Sequence, residues 1–586
     1  MFLKKSIKTV KGKKYFHYSI VESFRDEGKV KHRLIFAIGQ LDDEAANRLR
    51  LTLNAHSNHD LVVAEPDDIV VTKHGSYLDI AVLVYIWRDW HFNDFFRNDR
   101  WITGMVINRC IDQVAKYSLQ EWMAKTVLPA YLDTDPLSMN AYDIFRQLDQ
   151  LCQRETELQS YMFHKIQERR PNSLDAFFYD ITSTYVTGSR CVLTKFGYSR
   201  DHRSDCEQIV IALMITPDGY PFYWQVLKGN TQDVSTICDL ILNVKARFSI
   251  QHCTMVFDRG MVSEDNLSAL EKTKWDYVSA MDRDEINVLS FFEISLPEPP
   301  MPTNWEQILA LQEFIPIEDD ISYYREFEDD NRRYIILFGV ARFLDEHQIQ
   351  RSKVEQIQRW ITQKNIDMEQ AKKSRNRDVL EREIGRILKR FHVQKYLSIQ
   401  ITPCSHTITN KRGKSRIVES FRLSHIIDNT ALQKEQRLYG ITCFISNIPR
   451  ERISAKEIVQ WYRRKNKVEE AFRDIKSHLE IRPIYLTREK RVKAHVSVCM
   501  LAYFLKNDID LRFKEHGISD STETALGLLT ECKANRWVFD KSETKTHLNI
   551  TKITDEQEQI LKALGCESVV DEKHVKNILQ KAEKWL

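Results

Sequence analysis

Between residues 176 and 281 the chain alternates in a way that few architectures accept. AFFYDIT (176–182) is a short apolar run that meets an aspartate. EQIVIALMIT (207–216) and YPFYWQVLKG (220–229) are two more such runs, separated by Pro217-Asp218-Gly219, which reads as a hairpin turn. DVSTICDLILNVKARF (233–248) repeats its apolar residues with helical period, and TMVFD (254–258) is a buried strand ending in aspartate. A helix over 264–273 and a strand, WDYVSAM (275–281), complete the run. Strand, strand, strand, helix, strand, helix, strand predicts a mixed α/β sheet, antiparallel at first and then crossing over in parallel.

The flanking segments read differently. Residues 1–40 hold two β-rich runs, YFHYSIVESFR and KVKHRLIFAIG, with Asp26-Glu27-Gly28 between them as a turn. Residues 75–170 carry apolar residues every three or four positions and read as helices, closed by Pro171-Asn172-Ser173. After 286 come a proline-rich stretch and an acidic cluster. A strand run follows at 332–344, and 346–392 reads as a long helical hairpin. Two further strands, KYLSIQITP and SRIVESFRLSHII, end this interruption. IVESFR occurs at 20–25 and again at 417–422, too short a match to establish a duplicated domain. The α/β pattern resumes with ITCFISN (441–447). One long helix is expected from about Ser454, with Ile458, Trp461, Val468, Phe472, Ile475 and Leu479 on its core face. The resulting boundaries are 1–74, 75–170, 171–285, 286–438, 439–515 and 516–586.

Charge bears on the class of partner. The formal net charge of +3 conceals segments of +7 (residues 1–40), +6 (351–390), +6 (451–500) and −10 (286–330). Basic segments beside one acidic segment fit a polyanionic partner, although solvated helix faces give the same counts. The longest apolar run, Val496 to Leu505, is half the ~20 residues a membrane span needs. The basic N-terminus has no apolar stretch behind it to act as a secretory signal. Eleven scattered cysteines without a CxxC pair fit free thiols in a reducing cytoplasm.

Three acids stand at pointed places. A carboxylate on a buried strand costs several kcal/mol unless it is paired or binds a cation, which singles out Asp180. Asp258 ends a strand, where ligands gather in open α/β sheets. Glu469 lies beside the core face of the long helix, and Tyr462, Glu469 and Lys476 share one stripe at seven-residue intervals, joined by Lys465. Two strand-borne aspartates and a helix-borne glutamate can hold two divalent cations for in-line phosphoryl transfer. Each acid also has an ordinary structural reading: Asp180 capping through Thr182, Asp258 opening the Arg259-Gly260 turn, Glu469 pairing with Lys465 or Arg473. Arg259 is placed for a DNA phosphate or a salt bridge, and Trp224 for base stacking or, more readily, core packing. His202, Arg203 and Asp205 read as a structural loop. Glu470 and Asp474 are the alternative acids, turned away from the Tyr462–Lys476 stripe.

FYDITSTY, GYSRDHRSDCEQIVIALMITPDGYPFYWQVLKGNTQD, VFDRGMVSEDNL and WYRRKNKVEEAFRDIKSHLEIRPIY together resemble DDE transposases of bacterial insertion sequences. The likeness is to the insertion sequence 4 superfamily, and within it to the subgroup typified by insertion sequence 1634. It runs from the N-terminal VESFR to Ala563-Leu564-Gly565. The superfamily motif Y-x2-R-x3-E-x6-K falls on Tyr462, Lys465, Glu469 and Lys476, with Lys465 where the family usually has arginine. The resemblance implies a ribonuclease-H-like core split by a β-rich and helical-hairpin insertion (286–438), preceded by a strand-then-helical DNA-binding region. It implies Asp180, Asp258 and Glu469 as catalytic metal ligands for two Mg²⁺ (or Mn²⁺) ions, with Tyr462, Lys465, Lys476 and Arg259 on DNA. It further implies a bacterial, cytoplasmic, nucleoid-associated enzyme, a homodimer that synapses terminal inverted repeats and joins them to target double-stranded DNA by cut-and-paste transfer. A catalytically inactive DNA-binding descendant is the competing reading. A generic metal-dependent nuclease is a third, but it has no need of the insertion or the basic N-terminus.

Overall fold

The computed structural model describes the chain apart from residues 11–12, 59–66, 68, 139, 172–173, 188–190, 202, 233–236, 251, 290–298, 318–321, 540–545 and 586. Its contacts gather into two compact units. One comprises 1–158, 474–481 and 488–586; the other comprises 159–473 and 482–487.

In the first unit, Phe2–Val10, Lys13–Asp26 and Lys29–Gly39 form an antiparallel three-stranded sheet in sequence order. The helix Asp43–Ser57 covers one face through a small core of Leu3, Tyr18 and Ala46. A second sheet pairs Val70–Ser76 with Lys533–Val538 and Thr546–Ile550. The helix Glu489–Glu515 is buried along most of its length, from Val492 to Ile509, against Arg100–Ile111 and Ala141–Gln153. That explains its lack of a polar face. No helix among the described residues is long and apolar enough to cross a membrane.

The second unit is built on a nine-stranded sheet. Its strands are β1 (Ala176–Tyr185), β2 (Gln208–Ile215), β3 (Pro221–Lys228), β4 (Thr254–Phe257), β5 (Asp276–Ala280), β6 (Ile315–Pro316), β7 (Ser322–Asp329), β8 (Arg332–Gly339) and, after a pair described below, β11 (Ile441–Ser446). The spatial order is β6-β7-β8-β11-β5-β4-β1-β2-β3. β1, β4 and β5 run parallel and every other neighbouring pair is antiparallel. All eight residues of β2 are buried, which is why its sequence shows no polar alternation. The β2–β3 turn closes through Gly219 at φ +94°, with its N–H donating to Thr216 O at 2.8 Å. α1 (Ile237–Phe248) and α2 (Glu264–Lys272) provide the crossovers.

The segment 286–438 divides between two places. β6, β7 and β8 extend the sheet, because β8 pairs antiparallel with β11 over Arg333–Phe338. Beyond β8 the chain forms α3 (Val340–Glu369) and α4 (Arg377–Phe391), then the ribbon β9 (Leu397–Thr409) and β10 (Ser415–Ile427). These four elements share their own core, including Ile357, Ile361, Leu380, Ile384, Leu397 and Leu423.

After β11, Ser454 caps α5 (Ala455–Arg464) in a capping box with Glu457, and α6 (Asn466–Ser477) follows. The one long helix expected from the sequence is therefore interrupted at Lys465. There the backbone bonds tighten to three-residue closures, Lys465 N to Tyr462 O and Val468 N to Lys465 O. Ile458 and Val459 of α5 are buried, and α5 lies over β4, β5 and β11.

Candidate active site

Asp180 sits at the middle of β1, partly exposed between buried neighbours, and accepts a hydrogen bond from the Ile181 N–H at 2.7 Å. Burial pushes its carboxyl up to about 6, even though Lys465 and Arg200 pull it down. Asp258 follows β4, which lies beside β1 in parallel, so both acids project from adjacent strands. Its side chain is 43% exposed. Tyr462, at the end of α5, packs its ring on Phe444 of β11 at 5.0 Å and donates its hydroxyl to Asp258 Oδ1 at 3.2 Å. Burial and the adjacent Asp258 charge push the Tyr462 phenol well up, which keeps it a donor.

Lys465 occupies the centre of this group. Its side chain is 3% exposed, and its Nζ lies 2.8 Å from Glu469 Oε1 and 3.5 Å from Asp258 Oδ1. Burial opposes the charge, but Asp258, Glu469 and Asp180 outweigh it and hold the ammonium protonated. The helix break accounts for the position: the tightened turn at 465 swings this side chain inward and leaves Glu469, one turn on, 54% exposed. The sequence stripe puts Lys465 beside Tyr462 and Glu469 but does not predict its burial, because an unbroken helix gives no reason for it.

Arg200 was not singled out in the sequence. It donates to Ile181 O, its backbone N–H bonds Ser183 Oγ at 3.0 Å, and its charge acts on Asp180. Its loop is held tightly. A Cβ on Gly197 would stand 2.2 Å from Gly229 O, and one on Gly229 only 2.0 Å from Gln208 O. The nearby Asp201 pairs with Arg482 at 2.6 Å. The glycines of GYSRD and LKG were the available signal, since close backbone approach demands them.

The remaining residues are distributed as follows. Arg259 is exposed and 3.4 Å from Asp282. Lys476 is on α6, two turns beyond Glu469 and half-buried. Glu470 is exposed, and Asp474 is engaged by Lys506 at 3.1 Å. Trp224 is 1% exposed, a core residue. Arg203 and Asp205 form a bidentate exposed pair at 2.8 and 2.9 Å, and His202 lies outside the described residues.

Among the described residues no three His, Cys, Asp or Glu side chains are drawn together closely enough to hold an ion. The cation that Asp258 and Glu469 share is the Lys465 ammonium, with Asp180 under the same charge. All-oxygen carboxylate donors are the chemistry that a hard divalent cation takes, but here Asp258 and Glu469 are held on the Lys465 ammonium and not on each other.

The sequence matches the model of the transposase DDE domain over residues 172–505, more than half of the chain. The chain belongs to the DDE transposase family. Residues 3–63 match the model of the N-terminal domain of IS1634 family transposases. DDE transposases are metal-dependent enzymes of DNA cleavage and strand transfer. No curated protein matches the chain. Among solved structures, a cryo-EM piggyBac transposase synaptic complex with hairpin DNA aligns over 83% of this chain and 76% of its own at 10% identity, with a TM-score of 0.32. A Mos1 transposase paired-end complex with the left transposon end aligns over 40% and 66% at 9% identity, with a TM-score of 0.14.

Proposed function

We propose that this transposase cuts the ends of its own element and joins them to target DNA at a site made by Asp180, Asp258 and Glu469. The observation that carries the reading is the convergence on one ammonium of two acids 211 positions apart in sequence, Asp258 and Glu469. The strand order β3-β2-β1-β4-β5, with only β1, β4 and β5 parallel, supports a ribonuclease-H-like core for these residues.

Asp180, Asp258 and Glu469 would hold two divalent ions, Mg²⁺ or Mn²⁺, which when bound supply charge stabilisation for the attacking and leaving oxygens of phosphoryl transfer. The chain's own groups do the rest. Tyr462 fixes one Asp258 oxygen and leaves the other free. Lys465 lies between Asp258 and Glu469 in the metal-free protein and offsets part of their mutual repulsion. Arg200 secures the backbone directly after Asp180. Arg259, next to Asp258 in sequence, and Lys476, two turns beyond Glu469 on the same helix, are assigned to DNA phosphates. The basic N-terminal region and the helices up to residue 170 are assigned to the terminal inverted repeats, within a homodimer that pairs two ends.

The test uses labelled duplex DNA containing the sequence just outside the coding region. The wild type should nick it in Mg²⁺ and stop on chelation. Asp180→Asn, Asp258→Asn and Glu469→Gln should each abolish nicking while binding persists. Nicking by any one of the three at the wild-type rate would overturn the assignment, and nicking by none of the proteins, wild type included, would favour an inactive DNA-binding descendant.

A further inference from the structure

We propose that the far end of the β9–β10 ribbon is a second DNA-backbone contact, which grips the same duplex that is cut, about one helical turn from the cleavage point. The inference rests on the transposase site proposed above. It begins with a gap in the acids: from Ile384 to Val418 the chain has no Asp or Glu but eight Lys or Arg. A second gap, 370–377, holds Lys372, Lys373, Arg375 and Arg377.

The fold brings the ends of these two gaps together. The ribbon turn is built on Asn410, whose side chain accepts from the N–H groups of Arg412 and Lys414, with Gly413 at φ +75°. The α3–α4 turn is strapped beside it: Arg416 donates to Lys372 O, Glu419 N–H to Ser374 Oγ at 3.3 Å, and Arg375 N–H to Glu419 O at 3.3 Å. Lys372, Lys373, Arg375, Lys411, Arg412 and Lys414 are all exposed, and none of the six forms an ion pair among the described residues. Only Arg377 in this group has an acid, Glu381 at 2.9 Å. A solvated helix face mixes signs; the ribbon turn from Asn410 to Arg416 carries four basic residues and no acid, and Lys372, Lys373 and Arg375 add to it from a second chain segment, with Glu419 the acid at the strap between them. Unpaired charge of one sign on a rigid support is complementary to a phosphate backbone.

The ribbon's root fixes which duplex it meets. β4 and β5 are parallel, so Asp258 and Asp282 lie at the same end of the sheet, bridged by Arg259. Arg283 then reaches Glu435 at 3.9 Å, and Lys395, at the foot of β9, reaches Asp284 at 3.8 Å. The ribbon therefore springs from the Asp258 end of the sheet. Thirteen residues at ~3.3 Å per residue carry its tip ~40 Å outward, about 12 base pairs at ~3.4 Å each.

The full-length K411A/R412A/K414A variant tests this, with Asn410 and Gly413 kept and thermal melting used to confirm folding. The probe is a 60-base-pair duplex carrying the element end. Log K against log[salt] should flatten by ~0.9 for each lost contact, so by roughly two to three, with at least a tenfold loss of affinity at 0.15 M salt. An iron chelate on Cys404, an exposed thiol of β9, should cut that duplex 10–13 base pairs from the nick in the wild type and not in the variant. Asp258→Asn should keep both the slope and the cuts, so loss of nicking in that variant leaves the proposal standing. An unchanged slope, or cuts confined to a separate target duplex, would overturn it.

Discussion

Replacing Lys465 by methionine removes one charge at nearly constant volume, and the structure says what that charge does. Its Nζ is 2.8 Å from Glu469 and 3.5 Å from Asp258. At an effective dielectric of 20 each attraction is about 5 kcal/mol. Both carboxylates are 43–54% exposed, so solvent screening reduces this to about 1–2 kcal/mol apiece. Lys465→Met should therefore destabilise the metal-free protein by about 2–4 kcal/mol, seen in urea melts with chelator present. Mn²⁺ should restore more stability to the variant than to the wild type, and should bind it about tenfold more tightly, because no internal cation competes. Lys465→Arg should stay within about 1 kcal/mol of the wild type. A role in gripping phosphate predicts something else: lost DNA affinity, a salt slope smaller by ~0.9, and an unchanged response to metal. If Lys465→Met melts like the wild type in chelator and gains nothing extra from Mn²⁺, the reasoning fails.

Three other outcomes follow from the same geometry. Asp180 has its carboxyl raised from 3.8 to about 6, so the folded protein favours its protonated form: the penalty is absent below pH ~3.8 and complete above pH ~6. Metal-free stability should fall by up to about 3 kcal/mol across that window, and Asp180→Asn should flatten the profile. Lys506 is 9% exposed and meets Asp474, Asp510 and Glu523, so Lys506→Ala should cost about 3 kcal/mol in denaturant melts, the low end for a broken buried pair because its partners are partly solvated. A mutant within 0.5 kcal/mol of wild type would contradict this. Gly229→Ala drives a Cβ against Gln208 O and should dislodge the Arg200 loop; nicking should fall at least tenfold, whereas an active, equally stable protein would show the loop is not needed.

Much of this was legible in the sequence because local signals agreed with the global fold. The Pro217-Asp218-Gly219 turn, the uniformly apolar β2 and the aspartates at strand positions lead directly to the β1–β5 order. Three features were hidden. β6–β8 look like part of an interruption, since nothing in RRYIILFGVARFL says that its partner is the strand at 441–446, a hundred residues later; non-local pairing has no local signature. The break at Lys465 was hidden for a related reason. WYRRKNKVEEAF has good helix formers and no Gly or Pro, and the lysine turns inward toward Asp258, a residue from a distant strand that the local sequence does not announce. Arg200 escaped notice because its role depends on a loop held by Gly197 and Gly229.

The central claim is that Asp180, Asp258 and Glu469 share bound metal. Loading the protein with Fe²⁺ and generating hydroxyl radicals at the bound ion maps its neighbours directly, because the polypeptide is cut only close to the iron. The account predicts cuts near residues 180, 258 and 469, suppressed by excess Mg²⁺ and lost in Asp258→Asn. Cuts elsewhere with those three segments intact would contradict it.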